Sequence, residues 1–343
     1  MSVANSIMSK ILTQIALSIW GIVPGNYSAI TPVAENVYAI VDDKDATDGY
    51  KLLTLEFDKR KGKVTHAALT EPQGMAQRRA EGKGTSRDCE GVCYFTPSGT
   101  VFVSGETRQD ILEYDRDGYL TGRQLAIPES LGRKKIAPNQ GFEALTYNAV
   151  QHRFWTTTEG MLPADATAQK KNRLRLLSFD DSLQPGLSFV YQMDDPVKYQ
   201  GKQNEVYGVA SMLALDNGKL LVLEREGYSP KRKIGTFVNH KIYLVDPSKA
   251  QSVSLGTPMS EVTDRMLVKK ELVLQFKTRL GLLHHNLANY EGMCLGPKLA
   301  DGRQILLLIA DSQNGKGNFL YHLKDYICIC VIDQDLNISN LSQ

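Results

Sequence analysis

Five related segments punctuate this chain of 343 residues: NYSAI (26–30), DCEGV (88–92), GFEAL (141–145), VYGVA (206–210) and NYEGM (289–293). Each sets a polar or aromatic residue before Gly or Ala and then an apolar residue. The key positions are Ser28, Glu90, Glu143, Tyr207 and Glu291, separated by 62, 53, 64 and 84 residues. The same grammar follows each copy. A short apolar run, such as VCYF (92–95) or ALTY (144–147), leads into a turn such as PSG (97–99) or DNG (216–218). A second apolar run follows: VYAIV (37–41), VFVSG (101–105), FWTTT (154–158), LLVL (220–223) and ILLLIA (305–310). Each second run ends on acid, at Asp42–Asp43, Glu106, Glu159, Glu224 and Asp311. A third run ends in an aspartate turn in several copies, as in LLTLEFD (52–58) and KIYLVDPS (241–248).

Strand-length runs bounded by Asp and Gly turns, repeated at similar spacing, predict an all-β array. The spacing exceeds the ~40–50 residues usual for a four-stranded propeller blade, so four strands plus insertions are expected. The expected insertions are 72–87, 161–172, 196–204 and 228–238, all polar or strand-poor and read as surface loops. A closed β-propeller explains why the first and last copies match, since they are neighbours in a ring. Five blades are favoured. A sixth stays open because the 84-residue separation between Tyr207 and Glu291 has room for one. The rival architecture is a pair of β-sandwiches. The whole chain is read as one domain, its ring closed between N-terminal and C-terminal strands. Helix-period stretches are few; the best, near 259–270, is poor.

Composition narrows the function classes. The net charge is +2 and no long block of like charge occurs, so no nucleic-acid partner is expected. No apolar run is long enough for a transmembrane helix. The segment ILTQIALSIWGIV (11–23) follows Lys10 but is interrupted by Gln and Ser, and is read as the first strand rather than a signal-peptide core. The five cysteines, Cys89, Cys93, Cys294, Cys328 and Cys330, form no CxxC pair. They read as small buried hydrophobes, with a cross-strand pair open to Cys328 or Cys330. No coiled-coil seam signals assembly, so a monomer is expected.

In a propeller the innermost strands line the axis. Ser28, Glu90, Glu143, Tyr207 and Glu291 would then form one ring, and Asp43, Glu106, Glu159, Glu224 and Asp311 a second ring at one mouth. Carboxylates converging on one axis need protons, basic partners or a metal. Oxygen donors without His or Cys suit calcium or magnesium rather than zinc, and a ring around a wide channel with backbone carbonyls at hand suits calcium better than magnesium. The plainer alternative is that each Glu bonds backbone N–H groups of the next blade. Small residues after the acid (Gly91, Ala144, Gly292) let backbone crowd the axis under either view. Basic residues near the acids are Lys44, Arg87, Arg108, Arg153, Arg225 and Lys316. His284–His285 read as a solvated loop pair, with a general base as the alternative. No GxSxG elbow occurs.

The runs DCEGVCYFTPSGTVFVSGE, NQGFEALTYN, FWTTTEG, LLVLEREGY and NYEGMCLGPKLADGRQILLLIADSQN resemble the phytase-like family, also called "esterase-like activity of phytase", in its Bacteroides-type form. The resemblance spans about residues 18–335. It implies an exported β-propeller acting on phosphoesters or esters. The matching positions are Glu90, Glu106, Glu143, Glu159, Glu224, Glu291, Asp311 and Asp42–Asp43. Two departures stand out: Ala29 replaces a family glycine, and Tyr207 replaces an acid. At most four of the five inner positions, Ser28 included, thus offer a good oxygen ligand.

The expected function is a calcium-dependent hydrolase of phosphoesters. Its metal ligands would come from Glu90, Glu143, Glu291, Ser28, Glu106 and Asp311. Glu159 or Glu224 would serve as general base, with Arg225 or Arg108 neutralising developing charge. Tyr207, Tyr290 and Asp43 would contact the substrate. The alternatives are a non-enzymatic propeller binding a ligand, glycan or protein through Tyr27, Tyr94, Trp155, Tyr207, Tyr228 and Tyr290, and a ring stapled by a structural calcium.

Overall fold

The computed structural model describes residues 9–166, 172–196, 206–231, 233–281, 285–318 and 321–332. Among these, five four-stranded antiparallel sheets form a five-bladed β-propeller. The chain begins in β1 (Ser9–Ala16) and a 3-10 turn (Leu17–Trp20). Blade one is β2 (Tyr27–Ala34), β3 (Val37–Asp42), β4 (Lys51–Asp58) and β5 (Lys63–Thr70). A short helix, α1 (Gln73–Ala80), leads to blade two: β6 (Cys89–Phe95), β7 (Thr100–Gly105), β8 (Asp110–Tyr114) and β9 (Leu120–Gln124). Blade three is β10 (Phe142–Asn148), β11 (Arg153–Thr158), β12 (Arg173–Asp180) and β13 (Pro185–Gln192). Blade four is β14 (Val206–Ala214), β15 (Leu220–Tyr228), β16 (Thr236–Val245) and β17 (Lys270–Leu280). Blade five starts with β18 (Asn289–Lys298) and β19 (Gln304–Asp311). After a small pair, β20 (Gly317–Asn318) and β21 (Tyr321–His322), it adds β22 (Tyr326–Ile332).

The fourth strand of blade five is β1, from the other end of the chain. It pairs antiparallel with β22, Ile15 opposite Ile327 and Gln14 opposite Cys328. The segment read as the first strand is therefore a strand only through Ala16, and it is an outer strand. The inner strands β2, β6, β10, β14 and β18 touch in sequence, and β18 touches β2.

Alternation along each strand sends apolar side chains to both faces of a blade, so the core is five wedges between blades. Tyr38, Ile40 and Leu53 of blade one meet Leu307, Ile309 and Ile329 of blade five. Phe95 and Phe102 of blade two meet Phe154 and Phe179 of blade three. Leu221, Leu223 and Ile242 of blade four meet Leu306, Leu308 and Cys328 of blade five. Trp155, Tyr27 and Tyr290 are consumed in these wedges, so the aromatic residues weighed as a stacking surface are largely core. All five cysteines are free and buried. Cys328 and Cys330 share a face, their sulfurs 3.8 Å apart, without a bond to another strand.

Three expected features differ from their reading in the sequence. Segment 72–87 contains α1, the one α-helix among the described residues. Its eight residues are too few to display a helical period, and tertiary contacts hold it: Met75 is buried, and Arg78 donates to the carbonyls of Gly118 and Asp48. In 228–238, strands β15 and β16 simply continue into a longer hairpin. Residues 197–205 and 167–171 lie outside the described residues, and with them nearly all of the expected insertion 196–204 and part of 161–172. The 84-residue separation holds no sixth blade among the described residues. A run of 3-10 turns (Pro247–Lys249, Met259–Glu261, Asp264–Met266) lies there instead of a helix near 259–270. It caps the outer strand of blade three, where Val253 and Val268 N–H groups donate to the carbonyls of Ser188 and Val190. Arg175 fixes it through Asp165 and the carbonyls of Ser254 and Thr257. An edge strand is thereby covered.

Candidate functional site: an axial ring of carboxylates with one arginine

Every inner strand carries a β-bulge at the same structural place. The register breaks at Ser28 in β2, at Glu90–Gly91 in β6, at Glu143 in β10, at Ala210 in β14 and at Glu291 in β18. A bulge re-aims a side chain out of the alternating pattern. Here it brings Ser28, Glu90, Glu143 and Glu291 to the axis, where all are buried. The small residue after each acid is a packing requirement. A Cβ on Gly91 would lie 2.7 Å from the Glu143 carbonyl oxygen, and one on Gly292 would lie 2.8 Å from Ala29 Cα.

The register corrects the fourth copy. Val209 opposes Glu224 and Gly208 opposes Arg225. In the other blades the residue before the bulge faces Asp42, Gly105, Thr158 or Ala310. The residues one step further along those strands are Asp43, Glu106, Glu159 and Asp311. The blade-four equivalent of these acids is Arg225, not Glu224, and the equivalent of the inner acids is Ala210, not Tyr207. Periodicity 2 along a strand makes a one-residue slip a change of face.

Arg225 therefore enters the axis. Its guanidinium donates to Glu143 (3.1 Å), to Glu159 (2.8 Å) and to Glu291. Asn289 also donates to Glu291 at 2.7 Å. The opposite half of the ring has no such cation among the described residues. There Asp43, Asp88 and Glu90 bring one carboxylate oxygen each to within 4.8 Å of one another. Asp43 Oδ1 is buried with no hydrogen-bond partner. Lys44, about half exposed, reaches Asp43 (3.0 Å) and Asp88 (2.5 Å) from outside. Glu106 borders this half and accepts from the Gly141 N–H at 2.6 Å.

Burial and crowding set the protonation. Glu90 is pushed well above the carboxylate range, first by burial and then by Asp43, Asp88 and Glu106. Glu143 is raised by burial, Glu90 and Glu159, against the lowering pull of Arg225. Asp43 rises to about 7, chiefly from burial, with Asp311 and Asp88 adding to it and Lys44 opposing. Asp311 rises to about 6, again mainly from burial, while its oxygen accepts from the Gln313 N–H at 2.5 Å. Glu106 is raised by burial and by Asp88 and Glu159. A cluster raised in this way relaxes when a cation replaces the protons. Three carboxylates, an orphaned oxygen and a donor set made of oxygen alone fit a hard cation such as calcium.

Several expected roles fall elsewhere. Glu224 lies in a separate cluster between blades three and four, accepting from Tyr191 (2.6 Å), Lys270 (2.6 Å) and the Asp194 N–H (3.2 Å). Tyr207 donates to the Asp194 carbonyl in the same cluster. Neither belongs to the axial ring. Tyr290 is core between blades four and five, against His240 and Phe276, so it does not face a ligand. Glu143, Glu159 and Glu291 are brought together, but around Arg225. Asp42 turns away to Lys51 and the Asn26 N–H. Arg87 is a buried blade brace bonded to Asp110 and Tyr114. Arg108 is exposed on the turn after Glu106, at the same mouth. Of the His284–His285 pair, His284 lies outside the described residues. Spacing alone does not point to Asp88 or Asn289. The signal that finds them is the polar residue two places before the ring position, visible in NYSAI, DCEGV and NYEGM.

No helix among the described residues is long and apolar enough to cross a membrane. No curated protein matches the chain. Among solved structures, it is similar to a luciferin-regenerating enzyme (9% identity, 98% of each chain, TM-score 0.42). It is similar to the catalytic domain of a Coprinopsis cinerea GH62 α-L-arabinofuranosidase (11% identity, 96% of this chain and 98% of that one, TM-score 0.48). It is also similar to the calcium-binding protein regucalcin from Agrobacterium tumefaciens (9% identity, 96% of each chain, TM-score 0.41). These are likenesses of overall form and carry nothing about chemistry. Residues 23–313 match the phytase-like family, without reaching a Bacteroides-type subdivision. The chain belongs to that family, described as "Esterase-like activity of phytase".

Proposed function

We propose that this protein is a hydrolase of phosphoesters that works with calcium held by Asp43, Asp88 and Glu90. The observation that carries the reading is the Asp43 Oδ1 atom, buried without a partner inside a three-carboxylate cluster at the propeller axis. Membership of the phytase-like family supports the ester chemistry. When bound, the ion supplies polarisation of a phosphoryl oxygen and activation of water.

The chain's own residues supply the rest. Lys44 and Arg108, exposed on the loops that follow Asp43 and Glu106, would meet the anionic charge of a phosphoester. Glu106, raised by burial and neighbouring acids, is the group placed to hold or pass a proton. Glu159 and Glu224 are poor bases because Arg225 and Lys270 already occupy their carboxylates. An exported location, implied by the family, suits a weak calcium site, since extracellular calcium modules bind at ~0.1–1 mM. Cell fractionation checks that location: recovery only from the cytosol would reject it.

Phosphate release from a panel of phosphomonoesters, phytate included, tests the activity with calcium and then with chelator. Release that chelator stops, and that Glu90→Gln abolishes, is expected. No release under either condition would end this reading. It would favour a ring stapled by a structural ion, which the deep burial of Glu90 also suits.

A further inference from the structure

Four blades direct an acid to the mouth of the axis from the end of the second strand; blade four directs Arg225 there instead. The same blade has Ala210 where three others have an inner Glu. The two differences fit each other, because an inner carboxylate lost at Ala210 leaves room for a long side chain to cross. Gly208 keeps the crossing close: a Cβ there would lie 2.4 Å from Glu159 Cγ.

Resting on the reading that these axial acids hold a cation, we infer that Arg225 is a built-in cation standing where a second divalent ion would otherwise bind. The intact protein then takes one ion, at Asp43, Asp88 and Glu90, and loss of the guanidinium opens a second divalent site at Glu143, Glu159 and Glu291.

Three carboxylates from two blades converge on one guanidinium, a donor set of the kind hard cations use. All four side chains are deeply buried, from 5% to 13% exposed. Three carboxyl groups face one positive charge, so the half-ring is short of positive charge rather than over-supplied. The guanidinium does not balance its surroundings in hydrogen bonds either, since its Nε is buried without a partner. A divalent ion would meet the charge deficit better. An arginine, however, cannot be chelated or titrated away at any ordinary pH. Half of the axis is thereby locked at every calcium concentration, and half is left to respond.

Calorimetric titration of the full chain with calcium, after treatment with chelator, reads the number of ions directly. Wild type is expected to take one ion and Arg225→Ala two, with the variant's thermal midpoint falling in chelator and recovering in calcium. Equal ion counts in the two proteins overturn the inference. Should wild type take none and Arg225→Ala take one, the inference stands while the calcium-dependent reading of the function falls. If Arg225→Ala does not fold in calcium or in chelator, Glu159→Gln and Asp43→Asn decide. Glu159→Gln is expected to change calcium affinity by less than tenfold (~1.4 kcal/mol), and Asp43→Asn to lose the ion. Loss of the ion in both variants would overturn the assignment.

Discussion

Arg225 in blade four and Glu159 in the neighbouring blade three occupy equivalent strand positions, and their side chains meet at 2.8 Å. A repeat that places acids at one position in every other blade has inverted the charge once. The inversion ties three carboxylates into a buried network. Removing one partner of such a network leaves uncompensated charge in a desolvated site, at a cost of about 3–5 kcal/mol. Arg225→Gln should lower the stability of the calcium-free protein by that order in urea denaturation. A change below ~1 kcal/mol, the size of an exposed ion pair, would show that the network contributes little.

The other half of the ring predicts how stability follows pH. Asp43 and Asp311 have folded-state values of about 7 and about 6, raised mainly by burial above an ordinary 3.8. The folded protein therefore binds protons that the unfolded chain has released. Stability in chelator should fall as pH rises from about 4 to 7, with a slope of at most ~1.4 kcal/mol per pH unit for each group. Calcium should flatten the fall, because it takes the place of the protons. Melting temperatures at several pH values, with calcium and with chelator, check this. A midpoint that climbs across this window in chelator would contradict the assigned environments.

Glu90→Gln separates the two terms at one residue. Glu90 is raised by burial and by Asp43, Asp88 and Glu106, so a neutral amide should suit the ion-free ring. The variant should match or exceed wild-type stability in chelator at a pH of about 8, above the values of about 7 for Asp43 and about 6 for Asp311. It should also lose most of the stabilisation that calcium gives. Retained calcium stabilisation would remove Glu90 from the ligand set.

The architecture was legible because the period-2 apolar runs and Asp/Gly turns recur in every blade. Glu90, Glu143 and Glu291 were legible as axial residues for the same reason. The fourth copy was not. VYGVA resembles the other motifs as written, yet the bulge falls at Ala210, three residues beyond Tyr207. Sequence similarity cannot locate a bulge, because it is a mismatch with a partner strand rather than a residue preference. The consequence was a one-residue slip in the second strand, which pointed to Glu224 when Arg225 faces the axis. The helix α1 escaped for another reason: it is held by contacts to Gly118 and Asp48, distant in sequence.

The seam between the first and last blades offers the most local test of the ring itself. The resemblance between NYSAI and NYEGM places Ala29 beside Gly292, where a Cβ on Gly292 would lie 2.8 Å from Ala29 Cα and 2.6 Å from Ile309 Cγ2. One of those neighbours is backbone of an inner strand and cannot rotate away. Gly292→Ala must therefore push blade five from blade one, and overpacking of this kind costs about 1–3 kcal/mol. Shifting β18 also moves Glu291 relative to Arg225, so the loss should exceed that of Gly302→Ala, where nothing lies within 4 Å of the added carbon. Gly302 has φ of +88°, so its own cost is one of backbone strain, about 1 kcal/mol. Urea denaturation of both variants checks the order. Equal losses would mean that the blades part without resistance at this seam, and that the ring is held closed mainly by β1 pairing with β22.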